Sequence, residues 1–434
     1  MKFDIGIIGS GSAAACCALS IFNIINHYKE HYNKSEPLNI KISVISNPNI
    51  PKISVGESLS PTLFMNVLSS LSLQKIQQLE EMEILLRIGA RHTWENNQNS
   101  MFDVNYNNMS YSAAAHVSSE KFSDFVFKTI KKLFNNLLEI HDNVKFISQN
   151  DNNAIVHGES NSYIFDYVFD CRGFPTKEEF NSGKYNFPKF QTVNSVLLFR
   201  HEKEYTHPYS EVIFHKNGWQ FGINTRNRKA FGYLYNKDIT DKEEALKHFK
   251  KLNKNLPIDN VKELYWPSYS VKKAVDGRVI CMGNKLYFYE PIQGIPLHMY
   301  YNFSLYIMFG ILNISNPHII NVIQPFTDLN LPFEEKYNKL HTNFCKRFYE
   351  ITLTNYSGNI LDSEFWRKIN YESRQYLLKS TEWINFCHQY VDYKNGTRGY
   401  PDFFPHPGTI LKQYFEGLNV NPEKFINGEY LAPK

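Results

Sequence analysis

Two stretches of this chain carry residue types that could do chemistry. The first is Gly9-x-Gly11-x-x-Ala14, placed between the apolar run Ile5 to Ile8 and a row of small residues, Ala13 to Ala15. In a strand–turn–helix context the first glycine permits a tight turn and the second lets backbone approach a pyrophosphate. The small third residue lets helix and strand pack, and the helix start at Ser12 and Ala13 favours negative charge. The second stretch is "EPIQGIPLHM", Glu290 to Met299, which reads as a Pro-x-x-Gly turn followed by a loop entering a helix. It places Pro296, which has no N–H, where backbone donors facing a ligand would be most useful.

The elements that must position these residues can be read from periodicity. "LNIKISVIS" alternates apolar positions at Ile40, Ile42 and Val44, giving a second strand and a first βαβ unit of a dinucleotide-binding fold. The end of that second strand, which usually carries a ribose-binding acid, is Ser46. A hydroxyl can still bond a ribose, but the discriminating sign is missing. "LEEMEILLRIGARHTW" starts helical and runs into a strand, and "VKFISQ", "NAIVHG" and "YIFDYVFDCRGF" read as strands. "SVLLFRHEKE", "EVIFHKNGWQFGIN" and "KAFGYLYN" predict a second, largely antiparallel sheet able to cover a substrate. "RVICMGN" returns the chain to the nucleotide domain, and from about residue 315 the pattern becomes helical and aromatic-rich. The expected fold class is α/β, with a Rossmann-type domain over 1–314 interleaved with a substrate sheet at about 185–275. A helical region follows over 315–434.

Bulk properties narrow the partners. The 434 residues are 42% hydrophobic and 21% charged, as in a globular chain. A net charge of +4, with no basic run beyond "KTIKKLF" (128–134), gives no case for nucleic acid. The six cysteines, at 16, 17, 171, 281, 345 and 387, form no C-x-x-C pair or zinc-ligand spacing. They suggest reduced thiols in the cytoplasm, with no metal. The N-terminus opens into a strand carrying Asp4 and does not read as a signal peptide. No apolar run reaches membrane-spanning length, so no membrane partner is expected.

Beyond the glycine turn, "VISNPNIPKISVGESLSPTL" resembles the flavin-dependent tryptophan halogenases, with their V-G-E-[AGS]-x-x-P motif. The resemblance continues in "LLRIGARHTWEN", apart from Arg87 and His92, and in "YVFDCRGF", "GWQFGIN" and "RVICMGNKLYFYEPIQG". It reaches the C-terminal "YNKLHTNFCKRFYEITLTNY" and "DSEFW", and so spans most of the chain. It implies non-covalent FAD, held by Gly9, Gly11, Ser12, Ala13, Ala14, Ser46, Glu57, Ser58, Gly173, Gly283, Asn284, Pro291 and Leu297. It also implies reduced flavin from a separate flavin reductase, O2 as co-substrate, and a flavin hydroperoxide as oxidant.

Four positions depart from the halogenating members. The lysine that relays halogen is Arg87, and a guanidinium cannot readily form a haloamine or give up its proton. The assisting glutamate is Gln293, which cannot act as a base, and the serine after it is Gly294. The two backbone amides that hold halide correspond to Ile295 and Pro296, and Pro296 has none to offer. The W-x-W-x-I-P strand reads Trp219-Gln-Phe221-Gly-Ile223-Asn224. The flavin-handling residues are kept, so the expected activity is oxygen insertion into an aromatic substrate, a small molecule or a residue of a peptide or protein.

Arg87 and Gln293 are then expected to position substrate, although Arg87 could equally pair with Glu81 or Glu83. His298 could touch flavin or substrate, or be a packed helix histidine. His92 and His116 read as structural, and Trp94 and Trp219 as core. A halogenase with a rearranged site and a non-catalytic protein that holds a partner are the competing readings. The sequence leaves the oligomeric state open.

Overall fold

The strand Lys2–Ile8, with Ile5, Ile7 and Ile8 fully buried, forms the centre of a six-stranded sheet. A computed structural model describes residues 2–31, 38–50, 57–73, 76–105, 114–292, 294–314, 316–358, 361–397 and 408–431. The strand order in this sheet is Val275–Asp276, Val279–Cys281, Tyr167–Asp170, Lys2–Ile8, Asn39–Ser46 and Leu137–His141, parallel except at the first edge. Helix Ser12–His31 follows the glycine turn. Its residues Ala14 to Phe22 are all buried, because it packs on helices Ser119–Leu133 and Pro296–Ile311 as well as on the sheet. Such a helix is apolar all round rather than striped. Ser20 is tolerated inside because its hydroxyl meets that of Ser304 at 2.7 Å.

A seven-stranded sheet forms a second unit. Its order is Lys262–Tyr265, Ser195–His201, Arg228–Tyr235, Gly218–Thr225, Tyr209–His215, Gly89–Trp94 and Asn97–Asn105. All neighbours are antiparallel except Tyr209–His215 with Gly89–Trp94. Helix Lys242–Leu252, capped by Asp241, lays Ala245 and Phe249 on Leu197, Phe231, Tyr233 and Tyr235. Each fully buried ring there is worth about 1.5–3 kcal/mol of transfer free energy.

The α/β class read from the sequence is therefore observed. Contacts divide the chain into Met1–Ile84, Ala115–Phe187 and Tyr269–Cys345 as one unit, and Leu85–Ala114, Pro188–Ser268 and Lys346–Lys434 as the other. This division falls elsewhere than the boundaries read from the sequence. Strands Gly89–Trp94 and Asn97–Asn105 join the antiparallel sheet through the parallel pairing at Gly89–Trp94, and the division falls within helix Phe333–Ser357.

Trp219 is core. It is 1% exposed, and its indole N–H donates to the Tyr356 hydroxyl at 3.0 Å. We expect Tyr356→Phe, which strands that buried N–H, to cost about 1–3 kcal/mol in chemical denaturation. His92 is also structural, stacked on Phe102 at 4.3 Å, and burial pushes its imidazole down to about 3. His116 is buried opposite Ser58 in the pairing of Glu57–Leu59 with Ala114–Val117. Among the described residues no helix is long and apolar enough to cross a membrane.

Candidate active site

The glycine turn has the geometry its sequence predicts. Gly9 lies at φ +111°, and a Cβ there would stand 2.8 Å from the Cys171 carbonyl oxygen. Only glycine fits that close approach. At Gly11 nothing lies within 4 Å of an added Cβ. This glycine keeps space clear at the helix start rather than serving packing, which is what a nucleotide phosphate needs.

Of the candidate cofactor residues, Ala13 and Gly283 meet directly. Ala13 lies against Gly283, whose added Cβ would stand 2.6 Å from that of Ala13, and Ala14 is fully buried. The Ser12 hydroxyl donates to the Ser119 carbonyl at 3.4 Å. Gly173, at φ +84°, has open space where a Cβ would be. Ser46 ends the second strand, and its carbonyl accepts the Asp142 N–H at 3.1 Å. Asp142 does not stand in for the missing ribose acid. Its carboxylate is spent on the backbone N–H groups of Asn143, Glu159 and Ser160 and on the Tyr163 hydroxyl. Asp170 is likewise engaged, by a two-pronged contact from Arg172 with both distances 2.8 Å. Among the described residues no cluster of His, Cys, Asp or Glu is placed to hold a metal ion.

Glu57 and Ser58 open the short strand Glu57–Leu59. Glu57 keeps partial solvent access yet lies deep among protein atoms, and burial pushes its carboxyl up to about 7, with the Ser119 hydroxyl pulling the other way. The Ser58 hydroxyl is buried without a partner and lies 3.7 Å from where a Cβ on Gly294 would stand. Val55 and Gly56 fall outside the described residues, as does Gln293.

The loop at 290–296 does enter a helix. The Gly294 N–H bonds the Pro291 carbonyl at 3.0 Å, closing the turn, and Gly294 takes φ +57°. Ile295 caps helix Pro296–Ile311 without a side-chain bond, and Pro296 is the first helical residue. That position explains the proline. A helix leaves its first N–H groups without internal partners, so proline loses nothing structurally and brings a pre-set φ. The consequence for a ligand is one donor fewer at this helix start. Leu297 is buried at 3% exposure.

His298, half-buried, is held at both ring nitrogens. Nδ1 lies 2.9 Å from the Ser60 hydroxyl, and Nε2 lies 2.9 Å from the Asn302 amide. Burial pushes its pKa down to about 4. The imidazole is thus neutral at neutral pH and tied to two neutral partners. Sequence reasoning missed Ser60 and Asn302. Asn302 was legible as the i+4 neighbour of His298 on a helix, and Ser60 as the N-cap before Pro61.

Arg87 belongs to the other unit. It is 6% exposed at the end of strand Leu85–Arg87 and donates to the Ser210 hydroxyl at 2.6 Å. Glu81 and Glu83, its suggested partners, form ion pairs with Lys128 and Lys121.

The fold is similar to several solved structures at low identity. A flavin-dependent halogenase from Xanthomonas campestris matches with a TM-score of 0.74 and 12% identity over 99% of this chain and 94% of that one. A tryptophan halogenase from Shewanella frigidimarina gives 0.74 and 14%, over the same shares. A tryptophan 6-halogenase from Streptomyces toxytricini gives 0.74 and 12%, over 99% and 95%. No curated protein sequence matches the chain. The tryptophan halogenase family model matches residues 105–395, about two-thirds of the sequence. With the glycine turn, the loop-to-helix entry and this match in one chain, the protein belongs to the tryptophan halogenase family.

Proposed function

We propose that the chain is an FAD-dependent monooxygenase of this family, inserting oxygen into an electron-rich aromatic substrate rather than halogenating it. The observation that carries this reading is Pro296 at the first position of helix Pro296–Ile311. Ile295 and Pro296 correspond to the paired halide-binding amides, and one of the two is gone. Losing a charge-assisted hydrogen bond costs about 1.5–3 kcal/mol of binding, roughly a 10- to 100-fold loss. A weakly held halide cannot absorb that.

Reduced FAD, delivered by a separate flavin reductase, would supply activated oxygen from O2 when bound. The glycine turn and the start of helix Ser12–His31 would hold its phosphates. Pro296, at the start of helix Pro296–Ile311, would lie on the side of its ring, where the buried Ile295 and Leu297 would help exclude water. His298, in the first turn of that helix, meets Ser60, and burial keeps its imidazole neutral. By the family resemblance Arg87 and Gln293 are each expected to contact substrate, either a free aromatic or an aromatic residue of a peptide. Neither carries the proton chemistry that halogen transfer needs.

The test supplies reduced FAD and O2 with a panel of indoles and phenols, with and without bromide, and reads product mass. Oxygenated product independent of bromide supports the proposal, whereas brominated product from the wild-type chain establishes a rearranged halogenase site. Failure to bind FAD in either redox state leaves the partner-holding reading. Pro296→Gly restores the missing donor. We expect it to tighten bromide binding roughly tenfold or more, read by bromide-dependent change in flavin fluorescence.

A further inference from the structure

All six cysteines are free thiols, and two of them meet. The Cys17 Sγ lies 3.8 Å from the Cys171 Sγ, the one contact between cysteine sulfurs among the described residues. Cys17 stands on helix Ser12–His31 and is fully buried. Cys171 directly follows strand Tyr167–Asp170 and is 8% exposed. Successive residues of a helix point about 100° apart, so Cys16 does not share this direction.

The contact joins the two segments that flank the glycine turn. The helix begins just after that turn, and the Cys171 carbonyl oxygen would lie 2.8 Å from a Cβ on Gly9. The Cys171 N–H bonds the carbonyl of Ile8, the residue before Gly9, at 2.9 Å. A disulfide holds its sulfurs about 2.05 Å apart. Closing the gap from 3.8 Å would therefore tie the helix to the strand end that rests on the turn.

We infer that Cys17 and Cys171 form a peroxide-driven thiol–disulfide switch, and that closing it weakens flavin binding at the glycine turn. The regulatory role rests on the flavin reading above. Oxygen activated at the flavin and not passed to a substrate leaves as hydrogen peroxide, so the oxidant is the by-product of idle turnover. The more exposed Cys171 thiol is oxidised by peroxide to a sulfenic acid, with release of water. The Cys17 sulfur then attacks the Cys171 sulfur and the S–O bond breaks. The hydroxyl leaves as a second water with the Cys17 proton. Each peroxide accepts the two electrons that the thiol pair gives up. Burial pushes the Cys171 thiol up, so thiolate is scarce and the switch closes slowly, where peroxide accumulates.

The test treats the reduced full-length chain with hydrogen peroxide, unfolds it in an alkylating agent and digests it without reductant for mass spectrometry. We expect a linked peptide pair joining Cys17 to Cys171, lighter by two hydrogens and cleaved by dithiothreitol. Cys16→Ser should form the same link. Cys17→Ser lacks the resolving thiol, so its Cys171 should proceed to a sulfinic acid that dithiothreitol does not reverse. In FAD titrations followed by flavin fluorescence, the oxidised wild type should bind several-fold more weakly than the reduced chain. Dithiothreitol should restore it, and Cys171→Ser should show no response to peroxide. If either serine variant does not fold, the alanine variant at the same position replaces it.

Full alkylation of both thiols after peroxide, or a link between a different pair, would overturn the inference. A Cys17–Cys171 link with unchanged FAD affinity would overturn the switch and leave a structural bridge. Reduced wild type that binds no FAD would remove the flavin reading and the regulatory role with it, whereas the peptide map decides separately whether the pair closes.

Discussion

Gly9→Ala should both destabilise the chain and abolish measurable flavin binding, while Gly11→Ala should fold like the wild type and lose only the flavin. At Gly9 the new methyl meets the Cys171 carbonyl oxygen at 2.8 Å, in a backbone conformation of φ +111° that L side chains rarely adopt. The Cys171 N–H is itself bonded to the Ile8 carbonyl at 2.9 Å, so the strand Tyr167–Asp170 cannot move away without breaking the sheet beside it. Strain and overpacking together should cost roughly 2–4 kcal/mol, read by chemical denaturation of the flavin-free chain. At Gly11 the methyl enters empty space, so folding is unaffected and the methyl takes up room that the proposed cofactor phosphate would need. We expect at least a tenfold loss of FAD affinity there, about 1.4 kcal/mol. If both variants bind FAD like the wild type, the turn is a structural one only.

The contrast between these glycines shows what the sequence could and could not tell. Strand, glycine turn and buried helix were legible because each follows from local periodicity and from the small residues at Gly9, Gly11 and Ala14. So was the antiparallel sheet, from the short apolar and aromatic runs at Ser195–His201 and Arg228–Tyr235. The parallel pairing of Gly89–Trp94 with Tyr209–His215 was not, since residues more than a hundred positions apart leave no local pattern. At the candidate site the sequence located Pro296 and His298 but not their consequences. That His298 reaches Ser60 depends on how helix Pro61–Ser70 meets helix Pro296–Ile311.

Glu57→Gln should stabilise the flavin-free chain by about 2 kcal/mol at pH 8 and by almost nothing at pH 4.5. The Glu57 carboxyl is raised by burial to about 7 from an ordinary value of 4.5. A carboxyl raised on folding contributes stability that is fully present below pH 4.5 and lost as pH rises through 7, because the unfolded chain ionises it freely while the folded chain resists. Full expression of that shift would be about 3.4 kcal/mol, and partial solvent access at Glu57 reduces it. The amide that Glu57→Gln introduces is neutral at every pH and so removes the loss. The histidines act in the opposite sense. His298 and His341, lowered by burial to about 4, must be charged in acid, so wild type and variant alike lose stability as pH falls below about 6.5. The difference between wild type and Glu57→Gln cancels that common term, which makes the difference, rather than either curve alone, the quantity to measure. The same ionisation bears on the cofactor. A charged Glu57 repels a phosphate or an anionic reduced flavin, so wild-type FAD affinity should fall between pH 6 and pH 8 while that of Glu57→Gln stays level. A stability difference that does not grow across this range would place the Glu57 carboxyl in contact with water rather than in a recess, and would remove its part in excluding negative charge from the site.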